Sequence, residues 1–285
     1  MGTRRRRDRA AVVDHARALT RRLSSATDAV RANEPDAVHQ MRVTARRLRS
    51  VLRTYSTTFP RSEAVRDELR WLGTVLGEAR DAEVLADHFA DVLDGLSPHL
   101  VRGTARYRLV DAYRDRYRVA HGEVVDALAS PRFAALLTDL EALCERPASS
   151  GRPRKEFRRA RRRVLKAGRQ AGLRSDATAP GPDTALHRTR KRAKALRYAG
   201  EALSASRSGA KRIASAAEDL QTVLGTHQDA VVARDELLAA ADRARAAGED
   251  TFTYGVVAAV ETRRARTSSK AGRRALNVVR RRDAP

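Results

Sequence analysis

The chain has 285 residues, 42% hydrophobic and 33% charged, enough for one large domain or two compact ones burying roughly three quarters of the unfolded surface. Lys+Arg 58 against Asp+Glu 35 leaves a formal net charge of +23, a surplus that calls for a polyanionic partner or an acidic surface. The single Cys144 excludes an intrachain disulfide and a multi-cysteine zinc site, and 4% aromatic residues leave little on which single-stranded bases would stack.

In chain order, the basic start Arg4 to Arg7 looks like the first part of an export signal, but Asp14, His15 and Arg17 interrupt what would have to be its apolar stretch. The longest useful apolar run, around Val256 to Val260, falls far short of the roughly 20 residues a membrane span needs. A soluble, cytoplasmic protein is the expectation. Ala, Leu, Arg and Glu dominate, with apolar residues three and four apart, so the whole chain reads as helical and nothing alternates as a strand. Breaks fall near Asn33 to Pro35, Phe59-Pro60, Gly95 to Pro98, Ser130-Pro131, Arg146 to Pro153, Ala179 to Pro182, Ser208-Gly209 and Gly248-Glu249. The richest, 147–153, reads as a linker between a first half, 1–146, and a second, 154–285.

The helix expected from Pro35, with Asp36 at its positive end, turns His39, Arg42, Arg46, Arg49 and Arg53 into an arc of about 80° at 100° per residue. Met41, Ala45, Leu48, Leu52 and Tyr55 take the other side. Further on, Glu78 to Asp94 carries six acids and one base, Arg80, whereas Arg152 to Arg169 carries ten bases against Glu156 alone. A second basic stripe then appears: His187, Arg190, Lys194 and Arg197 share one arc, with Leu196 and Leu203 opposite and Glu201 one turn from Arg197, close enough to pair with it. Nine bases between Arg263 and Arg282 close the chain.

The two stripes belong to an internal repeat at one offset, since 187 − 39 = 148 and 224 − 76 = 148. Six of thirteen positions match between 37–49 and 185–197, and seven of eleven between 72–82 and 220–230. Two halves of about four helices each are the natural reading, every hairpin burying its apolar stripe against the others. A run of like charges is ordinarily a solvated face. Here uninterrupted bases one turn apart destabilise their helix, and the arrangement occurs twice, so an external anion is expected to relieve it. Guanidinium forks in a row suit successive phosphates, and two such walls suit a linear polyanion.

The strings Val38-His39-Gln40-Met41-Arg42-Val43-Thr44-Ala45-Arg46-Arg47-Leu48-Arg49 and Leu186-His187-Arg188-Thr189-Arg190-Lys191-Arg192-Ala193-Lys194-Ala195-Leu196-Arg197-Tyr198 resemble the signature helices of the CHAD family, the histidine-bearing α-helical domain. Leu76-Gly77-Glu78-Ala79-Arg80-Asp81 and Leu224-Gly225-Thr226-His227-Gln228-Asp229 resemble its Leu-Gly-x-x-x-Asp segments. The resemblance implies an all-α fold of two pseudo-symmetric four-helix bundles flanking a central basic groove or channel that binds inorganic polyphosphate. It carries over His39, Arg42, Arg46, Arg47, Arg49, His187, Arg190, Lys194 and Arg197 as ligands; Arg53 joins them from the stripe, and Arg17, Arg21, Arg158 and Arg162 are further candidate contacts. Ala195 replaces the base found at Arg47, and Thr226-His227-Gln228 replaces the Glu-x-Arg of the first half, so the second wall is expected to bind less strongly. The alternating Glu-x-Glu-x-Lys strand of the triphosphate-hydrolysing domain fused to some family members does not occur, which suits a stand-alone domain.

His39 and His187 have no second ligand at metal spacing and are read as phosphate contacts or packing groups. Asp81 and Asp229, equivalent in the repeat, are read as structural acids that cap a helix or pair with the arginine wall, ahead of a role as metal ligands, and Trp71, Leu72, Val75 and Leu76 as core. No P-loop or nucleophile elbow occurs. The expectation is a non-catalytic polyphosphate-binding protein without cofactor or metal, associated with polyphosphate granules and with no membrane partner. The rival is a basic helical protein bound to chromatin or RNA, and other polyanions remain candidate partners.

Overall fold

The structure, a computed structural model, describes residues 2–173 and 183–281. Among them ten α-helices run in the order α1 (Gly2–Ser25), α2 (Thr27–Arg31), α3 (Ala37–Thr54), α4 (Glu63–Asp94), α5 (Ala112–Ala129), α6 (Pro131–Glu145), α7 (Pro153–Gln170), α8 (Asp183–Leu203), α9 (Ser208–Ala246) and α10 (Phe252–Arg281). A short 3-10 turn, Pro98–Leu100, and a π-helical turn, Tyr107–Asp111, lie between α4 and α5, and no strand is present among the described residues. The fold is all-α, as composition and periodicity predict. No helix among the described residues is long and apolar enough to cross a membrane.

Local chemistry sets most of the helix ends. Pro131 opens α6 where its missing N–H costs nothing, and the Ser130 hydroxyl accepts the Phe133 N–H at 3.3 Å. The entry to α3 differs from the expectation. The helix starts at Ala37, because Asp36 adopts a left-handed conformation, φ 63°, which puts Pro35 in the preceding turn. The Asp36 carboxylate instead accepts the Gln40 side-chain amide at 2.6 Å. The break expected at Ala179 to Pro182 lies outside the described residues, whereas the one between α1 and α2 carries no proline or glycine and was not expected.

Among the described residues the apolar side chains form two clusters. The larger joins α1, α2, α3, the first half of α4, α5, α6, α7, α8, the first part of α9 and the end of α10, so it contains residues from before and after 147–153. Leu72 and Leu76 lie in it fully buried, with Trp71 and Val75 packed half-buried against it. The smaller cluster gathers the far ends of α4 and α9, the π-helical turn and the start of α10. Two connections tie the middle of the molecule together: the buried Tyr55 hydroxyl donates to the Ala199 carbonyl at 2.6 Å, and Arg207 donates to both oxygens of the buried Asp8, the closest at 2.8 Å. Helices α3 and α8 lie against one another, α4 covering α3 and α9 covering α8.

Candidate functional site

Met41, Ala45, Leu48 and Leu52 are fully buried on α3, as are Ala193, Leu196 and Leu203 on α8, which fixes the rotation of both helices and leaves their basic sides exposed. Removing one such side chain, as in Leu48→Ala, costs about 2–5 kcal/mol. Where the two basic sides meet there is a cleft of about 360 Å³ lined by Arg46, Arg49, Ser50 and Arg53 from α3 and by His187, Arg190, Lys191, Lys194, Ala195 and Tyr198 from α8. Six of these side chains are cationic and none is a carboxylate. The Ser50 hydroxyl is buried in the wall without a hydrogen-bond partner.

Crowded like charge in a half-buried setting disfavours the charged forms. Burial, reinforced by Arg190, Arg46 and Arg42 and opposed by Asp229, brings the Lys194 ammonium down to about 8. Burial and then Arg42 lower Arg46 to about 10, Asp81 opposing. Arg49 is lowered by burial and by Arg70; Arg53 by burial and by Arg192, Arg49, Arg163 and Arg66. Among the described residues no carboxylate forms an ion pair with Arg46, Arg49, Arg53 or Lys194. An anion entering the cleft replaces that repulsion with charge-assisted hydrogen bonds.

The Leu-Gly-x-x-x-Asp segments acquire a physical role. Arg42 forks onto Asp81 with bonds of 2.7 and 3.3 Å, its side chain 11% exposed. Its guanidinium crosses α4 directly over Gly77, where an added Cβ would lie 3.4 Å from Nη2. The second half repeats this: Arg190 reaches Asp229 at 3.7 Å over Gly225, whose Cβ would lie 3.5 Å from Nε. In each case the glycine leaves room for the arginine and the aspartate one turn later receives it, so both acids pair with the arginine wall.

Of the remaining sequence candidates His187 lines the cleft, whereas Arg47, Arg197, His39, Arg17, Arg21, Arg158 and Arg162 do not. Arg47 lies on the other side of α3, 3.6 Å from Glu201 and over the Tyr198 ring, in a separate cavity with His15 and Lys211. Arg197 is held by Glu201 at 2.7 Å and Glu218 at 2.9 Å, so the pairing suggested by the spacing of 197 and 201 is present and a second acid adds to it. His39 faces α4; burial, then Arg80, lowers its pKa, while His187 lines the cleft. Arg17 donates to the Cys144 carbonyl at 3.1 Å, and Arg21, Arg158 and Arg162 are exposed and line neither this cleft nor the one beside it. That neighbouring cleft, about 160 Å³, begins at Arg53 and runs to Arg152, Lys155, Arg159 and Arg163. Sequence reasoning passed over the α7 residues and Lys191. Part of the signal was there on α7: its buried side runs through Pro153, Glu156, Phe157, Ala160, Val164, Ala167 and Gly168, and at 100° per residue Arg163 and Arg159 lie about 80° and 120° from the middle of that side, whereas Arg158 and Arg162 lie about 140° and 180° from it. Among the described residues no group of three or more His, Cys, Asp or Glu is placed to hold a metal ion.

Comparison with known proteins bears on family and fold. Two uncharacterized proteins of Mycobacterium tuberculosis, Rv2226 of strain H37Rv and MT2285 of strain CDC 1551, are each 47% identical to the chain over 236 residues. The match covers 80% of this chain and 45% of each relative, so the chain spans less than half the length of the curated relatives it matches. The fold superposes on PptA from Streptomyces chartreusis with a TM-score of 0.76 at 23% identity, over 94% of this chain and 99% of that one, a likeness of fold alone. The crystal structure of the CHAD domain from the plant Ricinus communis matches with a TM-score of 0.70 at 27% identity, over 97% and 93%. The CHAD domain sequence model matches residues 14–238, and the chain belongs to the CHAD family.

Proposed function

We propose that the chain binds inorganic polyphosphate in the α3–α8 cleft without hydrolysing it, and so docks onto polyphosphate chains or granules. The observation that carries this reading is the cleft lining, six cationic side chains from two repeat-related helices and no acid. Membership of a family linked to polyphosphate binding and metabolism supports it. Arg46, Arg49 and Arg53 offer planar forks to successive phosphates, while Lys194 and Lys191 supply point charges from the facing wall. Arg42 and Arg190 already have carboxylate partners and act chiefly by holding Asp81 and Asp229 away from the anion. Binding then proceeds by charge neutralisation and counterion release, with affinity falling steeply as salt rises.

Nucleic acid fits this lining less well. Its one aromatic side chain, Tyr198, is 4% exposed and its ring is flanked by the Arg47 and Arg197 guanidiniums at 5.5 and 5.8 Å, so it offers no face on which a base would stack. The test is a titration of the full chain with a ladder of polyphosphate lengths in the presence of duplex DNA. The expected result is affinity that grows with length and short polyphosphate displacing DNA at equal phosphate concentration. DNA that stays bound overturns the proposal in favour of nucleic acid; metal-dependent release of orthophosphate overturns the non-catalytic part.

A further inference from the structure

Of the charged clusters outside the main cleft, one is continuous with it. Arg53, on the last turn of α3, lines both the main cleft and the smaller one beside it. The far wall of the smaller cleft is α7, which presents Lys155, Arg159 and Arg163, with Arg152 immediately ahead of the helix. Its floor is the turn after α3, where Thr54, Ser56 and Thr57 contribute hydroxyl groups. The one acid there, Glu156, is 8% exposed and turned toward the protein: its Oε1 accepts the Thr57 N–H at 3.0 Å. The Thr57 hydroxyl in turn accepts the Arg152 N–H at 3.0 Å, so the floor is tied to the start of α7 by hydrogen bonds from both sides.

The charges facing Arg53 are Arg192, Arg49, Arg163 and Arg66, cations from α8, α3, α7 and α4. Of these, Arg66 has its own partner, Glu63, at 2.9 Å. On α8 the position equivalent to Arg53 is Glu201 (201 − 148 = 53), which pairs with Arg197 and Arg47 away from this cleft, so the row of cations finds no counterpart of Arg53 on that wall. It turns instead from Arg53 to Arg163 and Arg159, one helical turn or about 6 Å apart along α7. Hydroxyl groups and arginine forks around an open cleft are donors matched to phosphate oxygens.

We infer that α7 forms a second phosphate-binding leg: a polyphosphate seated between α3 and α8 continues past Arg53 onto Arg163 and Arg159, and the protein favours chains long enough to fill both legs. The inference rests on the cleft reading above and assigns it a length preference with a named source. It places the α7 contribution on Arg159 and Arg163, with Arg158 and Arg162 on the solvent side of the same helix.

The test measures the affinity of the full chain for tripolyphosphate and for polyphosphate of several tens of units, and takes the ratio. The variants are R159Q/R163Q and, with the same charge removed from the same helix, R158Q/R162Q. All four side chains are exposed, so the fold is expected to survive, which circular dichroism checks. R159Q/R163Q is expected to cut the long-to-short ratio about tenfold, the loss of contacts worth about one decade of affinity, and to flatten the salt dependence of long-chain binding. R158Q/R162Q is expected to change the ratio less than twofold. Equal losses from both pairs would mean an undirected positive field and would overturn the second leg, as would an unchanged ratio in R159Q/R163Q. A third variant, R46Q/K194Q, separates the two proposals: if it binds both probes like the parent protein, the cleft reading fails, whatever the α7 variants do.

Discussion

The α3 and α8 walls of the cleft start from one motif and end differently. Their first turns correspond: Arg42 and Arg190 each cross a glycine to reach an aspartate, and Arg46 stands where Lys194 stands on the other wall. Beyond that point α3 stays cationic, Arg49 facing Arg70 and Arg53 facing four guanidiniums. On α8, Arg197 is neutralised by Glu201 and Glu218, which occupy the repeat positions of Arg53 and Arg70 (218 − 148 = 70). The repeat therefore presents two facing walls, and divergence at two positions leaves one end of the α8 wall neutralised by its own acids. The cleft is lopsided, and its open cationic end points toward α7.

The largest effect is expected where the walls still correspond. Replacing Arg46 and Lys194 together by glutamine removes one charged donor from each wall, and at about 1.5–3 kcal/mol for each hydrogen bond to a charged group polyphosphate affinity should fall at least 100-fold. Equilibrium titration measures the fall, and an unchanged helical spectrum separates it from unfolding. A smaller effect is expected from making the walls alike. Arg53→Glu gives α3 the residue α8 has, and like-charge repulsion of about 1–4 kcal/mol against the anion should weaken long-chain binding about tenfold or more. At the other divergent position Glu218→Arg gives α9 the residue α4 has at Arg70, releases Arg197 from one partner and should strengthen binding and steepen its salt dependence. If Arg53→Glu and Glu218→Arg shift affinity in the same direction, the lopsided cleft is wrong.

Much of this was legible in the sequence. The buried stripe of Met41, Ala45 and Leu48 fixed which side of α3 is basic, because an apolar arc at helical spacing has one way to meet a core. The offset of 148 paired Arg42 with Arg190 and Asp81 with Asp229, and of the two structural roles open to the acids, a helix cap or the arginine wall, the structure selects the second. What the sequence did not carry was the identity of each neighbour. A helical wheel gives directions about one axis but not what packs on either side: it set Glu201 within reach of Arg197, but it carried neither the second partner of Arg197, Glu218 of α9, nor the entry of Arg49 into the cleft. Arg47 entered through family resemblance, although the wheel already sets it roughly 120° from the middle of the stripe. The start of α3 was misplaced by two residues because a left-handed Asp36 leaves no signal in composition.

The facing ammonium also makes binding depend on pH. In the ligand-free protein Lys194 sits at about 8 instead of 10.5, so its protonated fraction falls from about nine in ten at pH 7 to about one in ten at pH 9. Bound phosphate favours the ammonium, so affinity should fall by up to about tenfold over that interval, with protons taken up on binding. Stability of the free protein runs the other way. Between about 8 and 10.5 the unfolded chain binds the proton that folded Lys194 has lost, so this group adds stability as pH rises across the window. Lys194→Arg, which keeps its charge, should flatten the affinity profile; a profile as steep as that of the parent protein would move the effect to another group.

The smallest effect concerns the feature the two walls share. An added Cβ at Gly77 meets Arg42 Nη2 at 3.4 Å and one at Gly225 meets Arg190 Nε at 3.5 Å, both ordinary contact distances, so alanine fits beneath either guanidinium. Alanine in mid-helix is favoured over glycine by about 0.8–1 kcal/mol, so Gly77→Ala should raise stability to denaturant by up to about 1 kcal/mol and leave polyphosphate affinity within twofold. Gly77→Leu carries three more carbons into the same space, displaces Arg42 from Asp81 and leaves a carboxylate beside the cleft, so it should weaken binding while the helix persists. What this position requires is thus a small side chain, glycine or alanine, that leaves the path of the arginine clear, and not the backbone freedom of glycine. Equal loss of affinity in the alanine and leucine variants would show instead that the bare helix backbone itself meets the anion.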